Sequence, residues 1–221
     1  MKNYRVIREV LGYVRQFNGR IIVVKISKSV LADKERINNV IRDIILLKSV
    51  GVNVVVTHSD TNFMRDPWLS LEPIVFLDIS TVADIEGQMA MGVTPVVFFN
   101  ETLLLPSEKA VASLAIKLGA IKIVYVTNCD GIFQSGKLIS EMDMAQASEM
   151  LGMLGIITHE MKNRVEVALM ACRQGILRVH IVGSREGSLL KEILTCDGSG
   201  TMIYEILYRE IRKAKKTDVV G

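Results

Sequence analysis

The sequence predicts an α/β fold built on a mainly parallel sheet, and three observations lead there. Short apolar runs rich in Val and Ile, such as IIVVKI at 21–26 and NVVVT at 53–57, read as buried strands. Residues 33–50 between them read as a helix, and strand, helix and strand at this length make a right-handed unit with parallel strands. The alternation of short apolar runs with helical patterns then continues to Tyr204. With 221 residues, 49% of them hydrophobic, the chain can bury the core of a single domain spanning 1–221.

Residues 3–17 place Tyr4, Ile7, Val10, Leu11, Val14 and Phe17 at helical spacing, and Asn18-Gly19 closes the pattern. This helix has an apolar stripe before any strand has begun. Two readings stay open: it packs on its own domain, or it is exchanged with a neighbouring subunit as an oligomerisation element covering 1–18. The first strand covers 20–26 and the second 53–57. Ligand sites in parallel sheets lie beyond the carboxyl ends of strands, here at 25–29 and 58–61.

A polar link with Arg65, Asp66, Pro67 and Trp68 follows. Further strands are expected at 74–77, 94–99 and 121–127, and helices at 81–91 and 107–118. Asp130-Gly131 has the composition of a turn. Residues 141–151 and 158–173 read as helices, 177–182 as a strand closed by Gly183, and 207–216 as an amphipathic helix. Ser188 is expected to cap a short helix with Leu189, Leu190, Ile193 and Leu194 on one face. Asp197, Gly198 and Gly200 end that helix and feed a strand at 201–204. The glycine turn leaves backbone N–H groups available, with His180 and Glu192 as nearby charges, so it is a place for a small charged molecule.

Composition excludes several classes. The net charge of +3 is small and dispersed, which does not support a nucleic-acid or membrane-surface partner. Cys129, Cys172 and Cys196 are odd in number and show no pairing or metal pattern, as expected of reduced thiols in a cytoplasm. No apolar stretch is long enough to cross a bilayer, and the amino terminus lacks the apolar core of a signal peptide. His159 and Glu160 have no second histidine at helical spacing, so they read as surface residues and no metal site is expected.

The run through His180, Leu190, Glu192, Gly198, Gly200, Thr201 and Met202 resembles the carboxyl end of the amino-acid-kinase family, specifically acetylglutamate kinase and the kinase-like domain of N-acetylglutamate synthase. The resemblance implies a three-layer α/β/α sandwich with the middle of the chain shortened. In arginine-sensitive members that end forms the inhibitory arginine site. Residue by residue this implies arginine contacts from Tyr13, His180, Glu192, Gly198 and Gly200. The interval from His180 to Glu192 is one residue shorter than in the family.

The same resemblance assigns catalytic positions. Lys25 falls where acetylglutamate kinases carry a lysine before a glycine pair, but Ser27-Lys28 replaces the glycines. His58 is followed by Ser59-Asp60-Thr61 where the family has glycines. Glu108 occupies the place of an aspartate that orients two lysines, and Arg164 that of the second lysine, where a fork-shaped guanidinium is not a simple substitute. Asn128, Asp130 and Gly131 resemble the loop beside the nucleotide. The glycine pair before the helix has become His159-Glu160. These changes oppose ATP chemistry, because phosphoryl transfer relies on close backbone approach and positioned charge. The expectation is a catalytically impaired relative that binds arginine as a regulatory subunit of arginine biosynthesis. Alternatives are an active kinase using Mg-ATP on an acylated amino acid, or a structural partner of a separate acetyltransferase or kinase subunit. A homo-oligomer is expected.

Overall fold

The computed structural model describes residues 2–59, 74–78, 81–99, 107–153 and 158–205. Its strands are β1 (Ile21–Ile26), β2 (Asn53–His58), β3 (Ile74–Asp78), β4 (Thr94–Phe98), β5 (Lys122–Val126), β6 (Phe133–Gln134), β7 (Lys137–Leu138), β8 (Glu141–Asp143), β9 (Arg178–Val182) and β10 (Thr201–Tyr204). Its helices are α1 (Lys2–Phe17), α2 (Lys28–Leu31), α3 (Lys34–Ser49), α4 (Val82–Ala90), α5 (Ser107–Lys117), α6 (Met144–Gly152), α7 (His159–Arg173) and α8 (Ser188–Leu194).

One sheet runs β3-β4-β2-β1-β5-β9-β10-β8, and β6 with β7 forms a separate hairpin. Every neighbouring pair in the large sheet is parallel except β9 with β10. The expected α/β class and mainly parallel sheet are therefore present. The near-continuous apolar runs follow from coverage on both faces, as parallel sheets require.

Alternation along each strand sends side chains to two cores. Val23, Val55, Ile123, Val179 and Ile181 pack with helices α5, α6 and α7. Ile22, Val24, Val54, Val56, Val124 and Val182 pack on the opposite face with Phe17 of α1, with α3 and with α8. Helix, sheet and helix make the three expected layers.

Local signals explain most boundaries. Asp33 caps α3, its carboxylate accepting from the N–H groups of Glu35 at 3.0 Å and Arg36 at 3.2 Å. Thr81 and Asp84 form a reciprocal capping box on α4, and Asp143 and Gln146 do the same on α6.

Two expectations are corrected, and one element was not foreseen. The helix expected at 141–151 begins only at Met144, because Glu141–Asp143 pairs with β10 as a strand. Ser188 is the first residue of α8, not its cap; Gly187 occupies that place at φ +73°. The hairpin of β6 and β7 was not expected at all. The link at 61–73 and the helix at 207–216 lie outside the described residues. Among the described residues, no helix is long and apolar enough to cross a membrane.

Candidate functional site

The carboxyl ends of β1 and β5, with the first turns of α5 and α7, enclose a cleft of about 330 Å³. Lys25, Ser27, Lys28, Glu108, Tyr125, Asn128, Glu160 and Arg164 are among its lining residues. The three side chains assigned catalytic positions thus meet in one place, although β1, α5 and α7 are far apart in sequence. Lys25 is 5% exposed and donates from Nζ to Ser59 Oγ at 3.2 Å. Glu108 accepts from Ser107 Oγ at 3.1 Å and from Asn163 Nδ2 at 3.5 Å, the latter from α7. Arg164 is 6% exposed and pairs with Glu160, one helical turn earlier. Thr158 aims this turn by capping α7, its hydroxyl accepting from Met161 N–H at 3.2 Å.

The turn after β1 does not leave an open backbone cradle. Lys28 opens α2, and Ser27 carries a side chain into the cleft where a glycine would leave backbone exposed. The cleft instead gathers cationic side chains, Lys25, Lys28 and Arg164, against Glu108 and Glu160. Such a set suits an anion with several oxygens.

The loop after β5 divides in its roles. Asn128 lines the cleft, while Asp130 pairs with Arg185 at 2.9 Å. Gly131 sits at φ +148°, and a Cβ there would stand 2.7 Å from Thr201 Oγ1. That hydroxyl accepts from Ile132 N–H at 2.8 Å and donates to Ile139 O at 2.6 Å. Asp130 therefore ties the loop to Arg185, and Gly131 leaves the room in which Thr201 takes the Ile132 N–H.

A second polar group lies on the other face of the sheet, between α1 and α8. His180 Nδ1 and Glu192 Oε1 are 2.6 Å apart, with the residues 2% and 6% exposed. The other carboxylate oxygen accepts from Ser199 N–H at 2.6 Å and Gly200 N–H at 2.8 Å. Gly198 is at φ +60° with room for a Cβ only 2.8 Å from Glu192 Oε2, and a Cβ on Gly200 would stand 2.2 Å from Ile181 O. Both glycines are thus demanded by the packing of the turn itself. Tyr13 stacks on Phe17 with ring centroids 5.7 Å apart, and Lys122 Nζ lies 4.4 Å from the Phe17 centroid.

Sequence reasoning missed Lys122 and Arg178, register partners buried beside this pair at 2% and 6% exposure. The signal was a charged residue inside each of two apolar strands, which burial on both faces turns into interior charge. Burial, followed by repulsion from Arg178, holds the Lys122 ammonium well below its usual range, while Glu192 opposes this. Burial and then Lys122 push His180 down, so its ring is neutral at pH 7. Burial works against the Glu192 charge, but the hydrogen bonds from His180, Ser199 and Gly200 together outweigh it and keep the carboxylate ionised. Among the described residues, no group of three potential metal ligands is present.

Comparisons with known proteins agree with this architecture. The profile of the amino acid kinase family matches residues 73–183. An acetylglutamate kinase of Prochlorococcus marinus is 27% identical over 276 aligned positions, covering 90% of each chain. That alignment is longer than the 221 residues here, so the relative carries residues with no counterpart in this chain. An amino-acid acetyltransferase of Photorhabdus laumondii is 33% identical over 140 residues, 61% of this chain and 30% of that protein. Among solved structures, N-acetylglutamate synthase from Neisseria gonorrhoeae, complexed with coenzyme A and L-arginine, superposes with a TM-score of 0.79 at 21% identity. The match covers 91% of this chain and 65% of the synthase chain, so this chain spans about two thirds of that protein's length. On the family profile, the shared fold and the similarity to acetylglutamate kinases, this chain belongs to the amino acid kinase family.

Proposed function

We propose that this chain is an acetylglutamate-kinase-like domain of arginine biosynthesis whose cleft binds the phosphates of Mg-ATP, with phosphoryl transfer to an acylated amino acid slowed or lost. The observation that carries this reading is the convergence of Lys25, Glu108, Asn128 and Arg164 on one cleft at the carboxyl ends of β1 and β5. Lys25, Lys28 and Arg164 would neutralise phosphate oxygens, and Glu108, held by Ser107 and Asn163, would position the cations. The nucleotide supplies a transferable phosphoryl group; the chain's part is placement and charge neutralisation. Two features support slow transfer. Ser27 and Lys28 stand where close backbone approach is wanted, and Arg164 is already engaged by Glu160.

Calorimetric titration of the full chain with Mg-ATP tests the reading, together with an assay of transfer to N-acetyl-L-glutamate. Saturable binding that is lost in Lys25→Ala, with slow or absent turnover, is the expected result. No binding heat from the wild-type protein would remove the reading.

A second reading, arginine as a regulatory ligand, is favoured by the buried His180–Glu192 pair beside Lys122 and by the arginine in the Neisseria synthase complex. It has a requirement: Glu192 must give up part of its hold on Ser199 and Gly200 to receive a guanidinium, or accept it as an additional partner. L-arginine titrated into wild type and Tyr13→Ala tests it, since Tyr13 is not part of the turn. Association into a homo-oligomer and with an acetyltransferase or kinase subunit belongs to this regulatory reading.

A further inference from the structure

Tyr125 is the residue of the cleft that the fold does not account for. It is register partner of Lys25 in the parallel pair of β1 and β5, and partners at one level of a sheet point their side chains to the same face. The ring belongs to the apolar core under α5 and α7, and the residue is 1% exposed. Its hydroxyl has no hydrogen-bond partner among the described residues, although Tyr125 lines the cleft together with Lys25, Glu108 and Arg164. A buried phenol normally finds a partner, and leaving one without is costly when phenylalanine would fill the same space.

We propose that the Tyr125 hydroxyl is a ligand-contacting donor, giving a hydrogen bond to an oxygen of the phosphoryl group held between Lys25 and Arg164. This inference rests on the phosphate-binding reading of the cleft. The chemistry of the group fits the role. Burial, and after it the negative charge of Glu108, pushes the phenol well above its ordinary range, with Arg164 opposing, so it keeps its proton at every physiological pH. A neutral donor in the same cleft as these cations adds direction to an anion that the cations attract without much regard to angle. It also explains why an orphaned hydroxyl stands at this point of a strand otherwise made of Ile, Val and Lys.

The test is Tyr125→Phe in the full chain, read by thermal melting without ligand and by calorimetry with Mg-ATP, beside wild type and Lys25→Ala. The variant is expected to melt at the wild-type temperature or a few degrees higher, because the orphaned hydroxyl is gone. Its Mg-ATP affinity is expected to fall roughly tenfold, the effect of losing one hydrogen bond to a charged group. Affinity within twofold of wild type, while Lys25→Ala no longer binds, would overturn the role of Tyr125 and leave the cleft reading standing. A melting temperature several degrees lower would show the hydroxyl bonded within the chain and overturn it as well. Silence of the wild-type protein toward Mg-ATP would instead overturn the cleft reading and this inference together.

Discussion

Glu192 receives His180 Nδ1 on one carboxylate oxygen at 2.6 Å, and with the other it closes the turn that feeds β10. The side chain is a structural clamp before it is anything else. Replacing it by alanine leaves Ser199 and Gly200 N–H groups and His180 without their partner in a buried setting. Leaving buried donors unsatisfied in this way costs about 1–3 kcal/mol each. Glu192→Ala is therefore expected to lower the denaturant midpoint markedly, and loss of arginine binding in it would not by itself locate a ligand. A midpoint within the error of wild type would show that the clamp carries little.

Asp43 gives the chain a pH dependence of unusual sign. Its carboxylate, 3% exposed on α3, accepts from the N–H groups of Leu189 at 3.0 Å and Leu190 at 3.4 Å at the start of α8. Burial raises its pKa from 3.8 to about 6, against the lowering effect of those hydrogen bonds. The folded state thus holds a proton that the unfolded state has released between these values. The stabilisation is fully present below pH 3.8 and is lost as pH rises through about 6. Denaturation of wild type against Asp43→Asn is expected to show the difference changing by about 2 kcal/mol from pH 4 to pH 7, wild type losing ground. Parallel pH profiles would contradict this.

Glu160 competes with any anion for Arg164. The pair is one-sided in exposure, with Arg164's side chain 8% and Glu160's 67% accessible, so its contribution to stability is small. Glu160→Gln removes a negative charge from the rim and releases the guanidinium. Mg-ATP affinity measured by calorimetry is expected to rise several-fold, equivalent to about 1 kcal/mol, with little change in melting temperature. Unchanged or weaker binding would show that Arg164 does not meet the ligand.

Helix α1 is apolar on two sides. Val10, Tyr13 and Val14 pack toward the core with Phe17, and Glu9 Oε1 accepts from Cys196 N–H at 2.5 Å. Tyr4, Ile7 and Leu11, spaced along another stripe, are 75%, 52% and 56% exposed. Exposed apolar stripes of this kind are covered in association. Light scattering after gel filtration is expected to give an oligomer for wild type and a monomer for Ile7→Glu with Leu11→Glu. A monomeric wild type would leave α1 as a helix of its own domain alone.

Much of the fold was legible because its signals are local. Runs such as IIVVKI and NVVVT, the helix starts read at 33, 81 and 158, and the break at Gly198 each rest on signals within a few residues. The parallel start of the sheet followed from the length of one connection. The strand at Glu141–Asp143 was not legible, because three residues carry no periodicity and become a strand only by pairing with β10. The cap of α8 was misassigned because serine is a good cap in general, whereas here Asp43, almost 150 residues away in sequence, accepts from its first turn.

The sequence by itself determined which residue types stand at Lys25, Glu108, Asn128 and Arg164, and so the chemistry the cleft can hold. Only the tertiary structure decided that they share one cleft and that the Tyr125 hydroxyl stands among them with no hydrogen-bond partner among the described residues. It also decided that Glu192 is already engaged by the turn and that Lys122 and Arg178 lie beside it. The physical reason is that composition and spacing specify what a side chain can donate or accept. Which donors and acceptors remain after folding depends on contacts between strands and helices far apart along the chain.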